Sequence, residues 1–365
     1  MRDICALIKP VSSACNMGCN YCFYNDIASM RATPCYGTMS CQMIEAIIKK
    51  LIKEAERSVT ICFQGGEPLI IGIDFYRHVV ECEKKYNTKG LQIYNSVQTN
   101  GTLITEELAV LFSQNNFLIG LSLDGPREIH ETYRHLKNGE SCFEKTMQGI
   151  ELLKKHGVDF NILTVVSDVV AKNISRVWDF FMEKDFTYLQ FITCLPLFEA
   201  ERCDFMPTER QYAKYLVDVY KKWRKELNNG KYVSVRHIDN MLMALDGRQP
   251  EICARRGHCS IQLVIEADGS VYPCDFYVTE HFRLGNIIDD RINDLVMGTA
   301  AHDFIENGVA GNARCKECSA YIVCRGGCRR EQASGRDMHC YALRHFFEAS
   351  RDDMLSALIM LKRGI

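Results

Sequence analysis

Cys15, Cys19 and Cys22 stand in the stretch CNMGCNYCFY, and three thiols spaced C-x3-C-x2-C on one short loop suit a soft metal or an iron–sulfur cluster. A structural zinc site wants four closed ligands, and no fourth Cys or His lies close by. A cubane cluster held by three cysteines leaves one iron open to the amino and carboxylate groups of a small molecule. Incidental thiols in a cysteine-rich chain are the bland alternative. A second array, Cys315-x2-Cys318-x5-Cys324-x3-Cys328, is followed by Cys340 and preceded by Cys253, Cys259 and Cys274. Zinc ribbons usually show paired C-x2-C knuckles, and this spacing differs. Eight cysteines suffice for two fully coordinated 4Fe–4S clusters, although spacing alone does not assign the pairs.

These thiols need elements to hold them. Strand-like apolar runs cover Ile4–Lys9, Val59–Gln64, Gln92–Gln98, Leu118–Leu123, Phe160–Val166 and Leu189–Thr193. Helical patterns lie between them, near Cys41–Ala55, Phe75–Tyr86, Glu106–Gln114, Cys142–Lys155, Ser175–Lys184 and Glu209–Leu227. Strands alternating with helices predict an α/β fold on a parallel sheet, and six such units fit a partial (β/α)6 barrel. The first three cysteines follow the first strand, on the face where such folds build active sites. From about residue 235 the texture changes to a loop-rich, cysteine-rich segment in which metal binding would supply folding energy. We therefore expect a barrel over 1–235, a small cysteine-rich domain over 236–345 and a closing helix over 346–365.

The composition narrows the function classes. A net charge of −2 gives no basic field for nucleic acid or an anionic membrane. No apolar run approaches a membrane span, and the N-terminus shows no apolar stretch of signal-peptide type, so a cytoplasmic protein is expected. Nineteen cysteines in a reducing compartment argue for metal or cluster ligation over disulfides. Those outside the two arrays (Cys5, Cys35, Cys41, Cys62, Cys82, Cys142, Cys194 and Cys203) read as buried small hydrophobes.

CNMGCNYC resembles the cluster motif of radical S-adenosylmethionine (SAM) enzymes, with Tyr21 at the aromatic position. Phe63-Gln64-Gly65-Gly66-Glu67-Pro68 resembles the family's GGEP motif, which implies that Gly66 and Glu67 meet the SAM amino group. Gln98-Thr99-Asn100-Gly101-Thr102 and Ser122-Leu123-Asp124-Gly125-Pro126 resemble positions at the barrel mouth. The resemblance implies SAM contacts from Ser122 and Arg134 and packing of Leu195 on the adenine. The later cysteines resemble a SPASM domain. That implies one auxiliary cluster on Cys253, Cys259, Cys274 and Cys328 and another on Cys315, Cys318, Cys324 and Cys340, making three 4Fe–4S clusters in all.

With Asp268-Gly269-Ser270-Val271-Tyr272-Pro273-Cys274-Asp275-Phe276-Tyr277, the chain is similar to anaerobic sulfatase-maturating enzymes. Such enzymes oxidise a cysteine or serine of a sulfatase to Cα-formylglycine and are oxygen-sensitive. The resemblance implies Asp275 as the base, Tyr24 and Gln64 along the substrate channel, a sulfatase polypeptide as substrate, and an electron donor such as flavodoxin or ferredoxin. Another SPASM-type maturase, forming thioether or carbon bonds, would share the cysteines. The barrel begins near residue 4, without the leader-recognition domain common in thioether enzymes. A non-catalytic electron carrier would explain the later cysteines but not the open three-cysteine site beside GGEP.

Overall fold

The computed structural model describes residues 1–198, 202–308, 313–333 and 336–364. Its main strands in chain order are β1 (Asp3–Ile8), β2 (Ser58–Phe63), β3 (Gln92–Thr99), β4 (Leu118–Ser122), β5 (Phe160–Val166), β6 (Tyr188–Thr193), β7 (Ser234–Val235), β8 (Leu263–Ile265), β9 (Ser270–Tyr272) and β10 (Gly285–Asn286). Each of β1 to β6 comes from one of the apolar runs, shifted by a residue at most.

Two compact units divide the chain. One comprises Met1–Ser122, Arg134–Phe160 and Ser260–Phe304. Its strands run β10-β9-β8-β1-β2-β3-β4. From β8 through β4 the neighbours are parallel, with Ala6 opposite Leu263 and Ile61, and Val97 opposite Phe63 and Ile119. Alternation sets the faces: Ile4, Ala6 and Ile8 are buried, whereas Cys5 points outward. The helix Cys41–Glu54 buries Ile44, Ile47, Ile48, Leu51 and Ile52, the 3.6-residue stripe read in the sequence, and Ser40 caps it by accepting from the Met43 amide.

The other unit comprises Leu123–Tyr133, Asn161–Cys259 and Ile305–Ile365. Parallel pairing joins β5 to β6 and β6 to β7. The helix Glu209–Asn228 starts in a capping box of Thr208 and Gln211 and buries Tyr215, Leu216, Val219 and Trp223.

Three expectations need correction. The loop-rich segment contains β8 and β9, which extend the sheet beyond β1. The closing helix starts at Cys340 and runs to Lys362, because Ala342 and Leu343 continue the buried face of Phe346 and Phe347. Among the eight cysteines read as buried hydrophobes, Cys82, Cys142 and Cys194 are buried, but Cys5, Cys35 and Cys41 are exposed and Cys62 and Cys203 half-buried. Cys5 lies on the outward face of its strand and Cys41 opens a helix at its solvent end.

Candidate functional site

The loop after β1 carries the three cysteines and is clamped by the loop after β2. The amides of Gly66 and Glu67 donate to the carbonyls of Ser12 and Ala14 at 2.9 and 2.8 Å. A Cβ at position 66 would fall 1.9 Å from the Ala14 oxygen, so this contact demands glycine. The two loops must therefore meet backbone to backbone, a need of their own beside the approach to a ligand. Glu67 is buried, and its carboxylate accepts from the Leu69 amide, the Thr99 hydroxyl and the Asn100 amide at 3.0, 2.7 and 2.8 Å. Burial pushes it up to about 7 despite these donors. It thus locks the end of β3 to the glycine loop.

Cys15 and Cys19 pack on Met17, Leu136 and Cys142. The Met17 amide donates to Cys15 Sγ at 3.4 Å. Burial pushes the Cys15 thiol up to about 12; that amide opposes the shift, while Glu67, Cys19 and Cys22 add to it. Three adjacent sulfurs that disfavour each other's anions become thiolates together on a cation, so the donor set fits an iron–sulfur cluster. In the same unit, buried Arg134 lies 5.5 Å from the centre of the Tyr21 ring, and Ser122 Oγ accepts from Gln98 Nε2 at 3.4 Å. Leu195 is buried in the other unit.

A short helix, Phe23–Ser29, starts directly after Cys22. Its Phe23 ring meets Phe276 edge-on at 5.0 Å, on the 3-10 turn Asp275–Tyr277. The helix delivers Tyr24 to Asp275: the Tyr24 hydroxyl donates to Asp275 Oδ2 at 2.5 Å. Gln64, the first residue beyond β2, donates from Nε2 to the Tyr24 oxygen at 2.6 Å and to Asp275 Oδ2 at 3.2 Å. The sequence reading set Tyr24 and Gln64 along a channel; both grip the candidate base itself. Asp275 is 6% exposed, and its Oδ1 has no hydrogen-bond partner among the described residues. Burial raises the Asp275 carboxyl above its ordinary range, opposed mainly by Lys9 and by the Tyr24 hydroxyl. Burial and the Asp275 charge push Tyr24 well up, so the phenol remains a donor.

Behind this group lie three charged residues that the sequence reading missed. Lys9 Nζ is 3.2 Å from Glu266 Oε1 and 3.8 Å from Asp275 Oδ1. Arg31 reaches the same Glu266 oxygen at 2.8 Å, and all three side chains are at most 1% exposed. Burial pushes Glu266 up, but Lys9 and Arg31 outweigh it and leave the carboxyl below its ordinary value. The available signal was a charge closing an apolar strand run, Lys9 after CALI and Glu266 after LVI.

Seven of the later cysteines belong to the second unit, whereas Cys274 lies in the first, beside Asp275. All eight are half-buried. Between Cys324 and Cys328 the chain holds three successive left-handed residues, Arg325, Gly326 and Gly327, which wrap the loop tightly. Burial raises the Cys328 thiol, with Glu331, Cys253 and Cys259 adding, while the Arg330 amide opposes at 3.4 Å from the sulfur. Cys324 is pushed up to about 11 by burial, with Cys340 among the groups adding to the rise. Cys253, Cys259 and Cys328 thus feel one another, as do Cys324 and Cys340, and such half-buried thiol sets fit metal ligation.

Comparison with known proteins gives a consistent picture. The model of the Radical SAM superfamily matches residues 10–175, and that of an iron-sulfur cluster-binding domain, SPASM, matches 248–319. A cysteine-type anaerobic sulfatase-maturating enzyme of Clostridium novyi is 40% identical, with 95% of each chain covered. A serine-type anaerobic sulfatase-maturating enzyme of Bacteroides thetaiotaomicron is 33% identical over 91% of this chain and 84% of its own. The solved structure of native anSMEcpe with bound AdoMet and Kp18Cys peptide superposes with a TM-score of 0.92 at 39% identity, covering 98% of this chain and 99% of that one. Streptococcus suis SuiB bound to precursor peptide SuiA shares the fold alone, with a TM-score of 0.64 at 14% identity over 90% of this chain and 72% of that one.

Proposed function

The chain belongs to the anaerobic sulfatase-maturating enzymes, and from that premise we propose that it oxidises a cysteine of a sulfatase polypeptide to Cα-formylglycine with Asp275 as the base. Cysteine is preferred over serine as the target because the cysteine-type relatives are nearer, at 40% identity against 33%. The observation that carries the reading is the buried Asp275 carboxylate, gripped at Oδ2 by Tyr24 and Gln64 and without a hydrogen bond at Oδ1 among the described residues.

Cys15, Cys19 and Cys22 would hold the SAM-binding cluster, and the eight later cysteines would hold the two auxiliary clusters. When bound, these groups and SAM supply what side chains cannot: a carbon-centred radical that takes a hydrogen atom from Cβ, and an acceptor for the second electron. The Asp275 carboxylate takes the proton of the target thiol, and burial makes it a stronger base than a solvated aspartate. The resulting thioaldehyde is hydrolysed to the aldehyde with release of hydrogen sulfide. Tyr21, Gly66, Glu67, Ser122, Arg134 and Leu195 are assigned to SAM, with Glu67 also serving as the loop lock.

We assign the catalytic barrel to residues 1–235 and the auxiliary-cluster domain to 236–345, whose last residues, from Cys340, already belong to the closing helix. A small electron carrier such as flavodoxin or ferredoxin is assigned as reductant. No helix among the described residues is long and apolar enough to cross a membrane. We propose the cytoplasm as its location, with neither nucleic acid nor membrane as a partner.

The test is anaerobic incubation of the cluster-loaded enzyme with SAM, a reductant and paired peptides bearing Cys-x-Pro-x-Arg or Ser-x-Pro-x-Arg. A hydrazide-reactive aldehyde forming faster on the Cys peptide supports the reading. SAM cleavage without an aldehyde on either peptide refutes it.

A further inference from the structure

Tyr24 and Gln64 occupy only Oδ2 of Asp275, and the buried Oδ1 has no hydrogen-bond partner among the described residues. The nearest cation to Oδ1 is Lys9 Nζ at 3.8 Å, too long for a strong hydrogen bond and close enough for its charge to orient the carboxylate. Lys9 is held from every side. Its stem passes over Gly65, where an added Cβ would lie 3.3 Å from Lys9 Cβ and Cε. Its ammonium shares Glu266 Oε1 with Arg31 and stands 4.8 Å from the centre of the Tyr24 ring. Arg31 is fixed in turn by donating from Nε to the Val278 carbonyl at 2.6 Å, just beyond the Asp275 turn.

Two cations and two anions thus form one buried chain, Arg31–Glu266–Lys9–Asp275. Neutralising Glu266 alone would need only Arg31. Lys9 faces both anions, and its stem is pressed against the glycine loop that follows Gln64. We propose that Lys9, anchored by Glu266 and Arg31, is a positioning residue that fixes the rotation of the Asp275 carboxylate, keeping Oδ2 on Tyr24 and Gln64 and Oδ1 on the Lys9 side, and so holds the base in one orientation toward the target thiol. The inference rests on Asp275 being the base. Lys9 acts through Asp275, 3.8 Å from its Oδ1. A carboxylate free to swing is misaligned with the target thiol for part of each encounter, so radical formation outruns completed oxidation.

The readout is therefore the ratio of aldehyde to 5′-deoxyadenosine, measured with the iron content and the dissociation constant of the Cys peptide. Lys9→Met alone leaves a buried charge imbalance and risks misfolding, so the decisive protein is Lys9→Met/Glu266→Gln, which removes one charge of each sign. It is compared with the parent and with Asp275→Asn, all cluster-loaded. The proposal expects parental iron, peptide affinity within about threefold, and an aldehyde ratio lowered about tenfold or more. A double variant with the parental ratio overturns it, because Lys9 then only balances Glu266. An equal loss of iron and peptide affinity also overturns it, by showing a structural role. If Asp275→Asn itself keeps the parental ratio, the base assignment has failed first and this inference falls with it.

Discussion

At the scale of single residues, the proposed chemistry depends on which side chains touch the reacting proton and which hold the loops. Asp275→Asn removes the proposed base but keeps the shape and the Tyr24 contact. Aldehyde formation should fall by roughly 10²–10⁴ with peptide affinity nearly unchanged, as single-turnover product analysis would show. Gly66→Ala makes a different prediction. Its methyl would lie 1.9 Å from the Ala14 oxygen, so the two loops must separate. The variant should lose iron from the first site and all SAM cleavage, readable from iron content and 5′-deoxyadenosine. The cysteines proposed for this site stand out in the sequence because soft ligands at fixed spacing have few other uses. Lys9, Glu266 and Arg31 do not, because each reads singly as an ordinary charge and they meet only when β8 lies beside β1.

At the scale of elements, the apolar runs predicted six strands and most of the helices, since alternation and the 3.6-residue stripe both report burial. Short elements escaped. The helix Phe23–Ser29 has seven residues, too few for a periodic signal, and β8 and β9 have three each. Yet these elements carry Tyr24 and lead into Glu266 and Cys274.

A polar pair between elements makes a further prediction. Glu83 on the helix Ile73–Tyr86 accepts from Asn95 Nδ2 of β3 at 2.9 and 3.1 Å, while Asn95 Oδ1 has no partner among the described residues. Burial raises Glu83 from 4.5 to about 7, with Asn95 opposing. The unfolded chain therefore releases this proton at lower pH than the folded one, and stability is lost as pH rises from about 4.5 to about 7. Glu83→Gln keeps one acceptor, supplies a donor for Asn95 Oδ1 and removes that pH dependence. It should stabilise the protein at pH 8 by roughly 1–3 kcal/mol and change little near pH 4, by anaerobic thermal unfolding.

At the scale of the whole molecule, the linear order of functions is not the order of packing. Residues 260–304, inside the cysteine-rich segment, add strands to the unit that carries the first cluster loop, and they bring Asp275 to Tyr24. Composition could not reveal this, because the pairing of β8 with β1 spans more than 250 residues of chain. Three 4Fe–4S clusters correspond to about twelve iron atoms per chain. Cys15→Ser should retain about eight, with no 5′-deoxyadenosine formed, as iron analysis and chromatography would show.

The most direct measurement uses a Cys peptide deuterated at Cβ of the target residue, with loaded enzyme, SAM and reductant under anaerobic conditions. Mass spectrometry follows deuterium in 5′-deoxyadenosine and the fate of the peptide together. The account predicts one deuterium transferred per turnover and a peptide that has lost hydrogen sulfide and gained oxygen. Deuterium-free 5′-deoxyadenosine, or a peptide that ends in a new sulfur or carbon bond instead of an aldehyde, would contradict it.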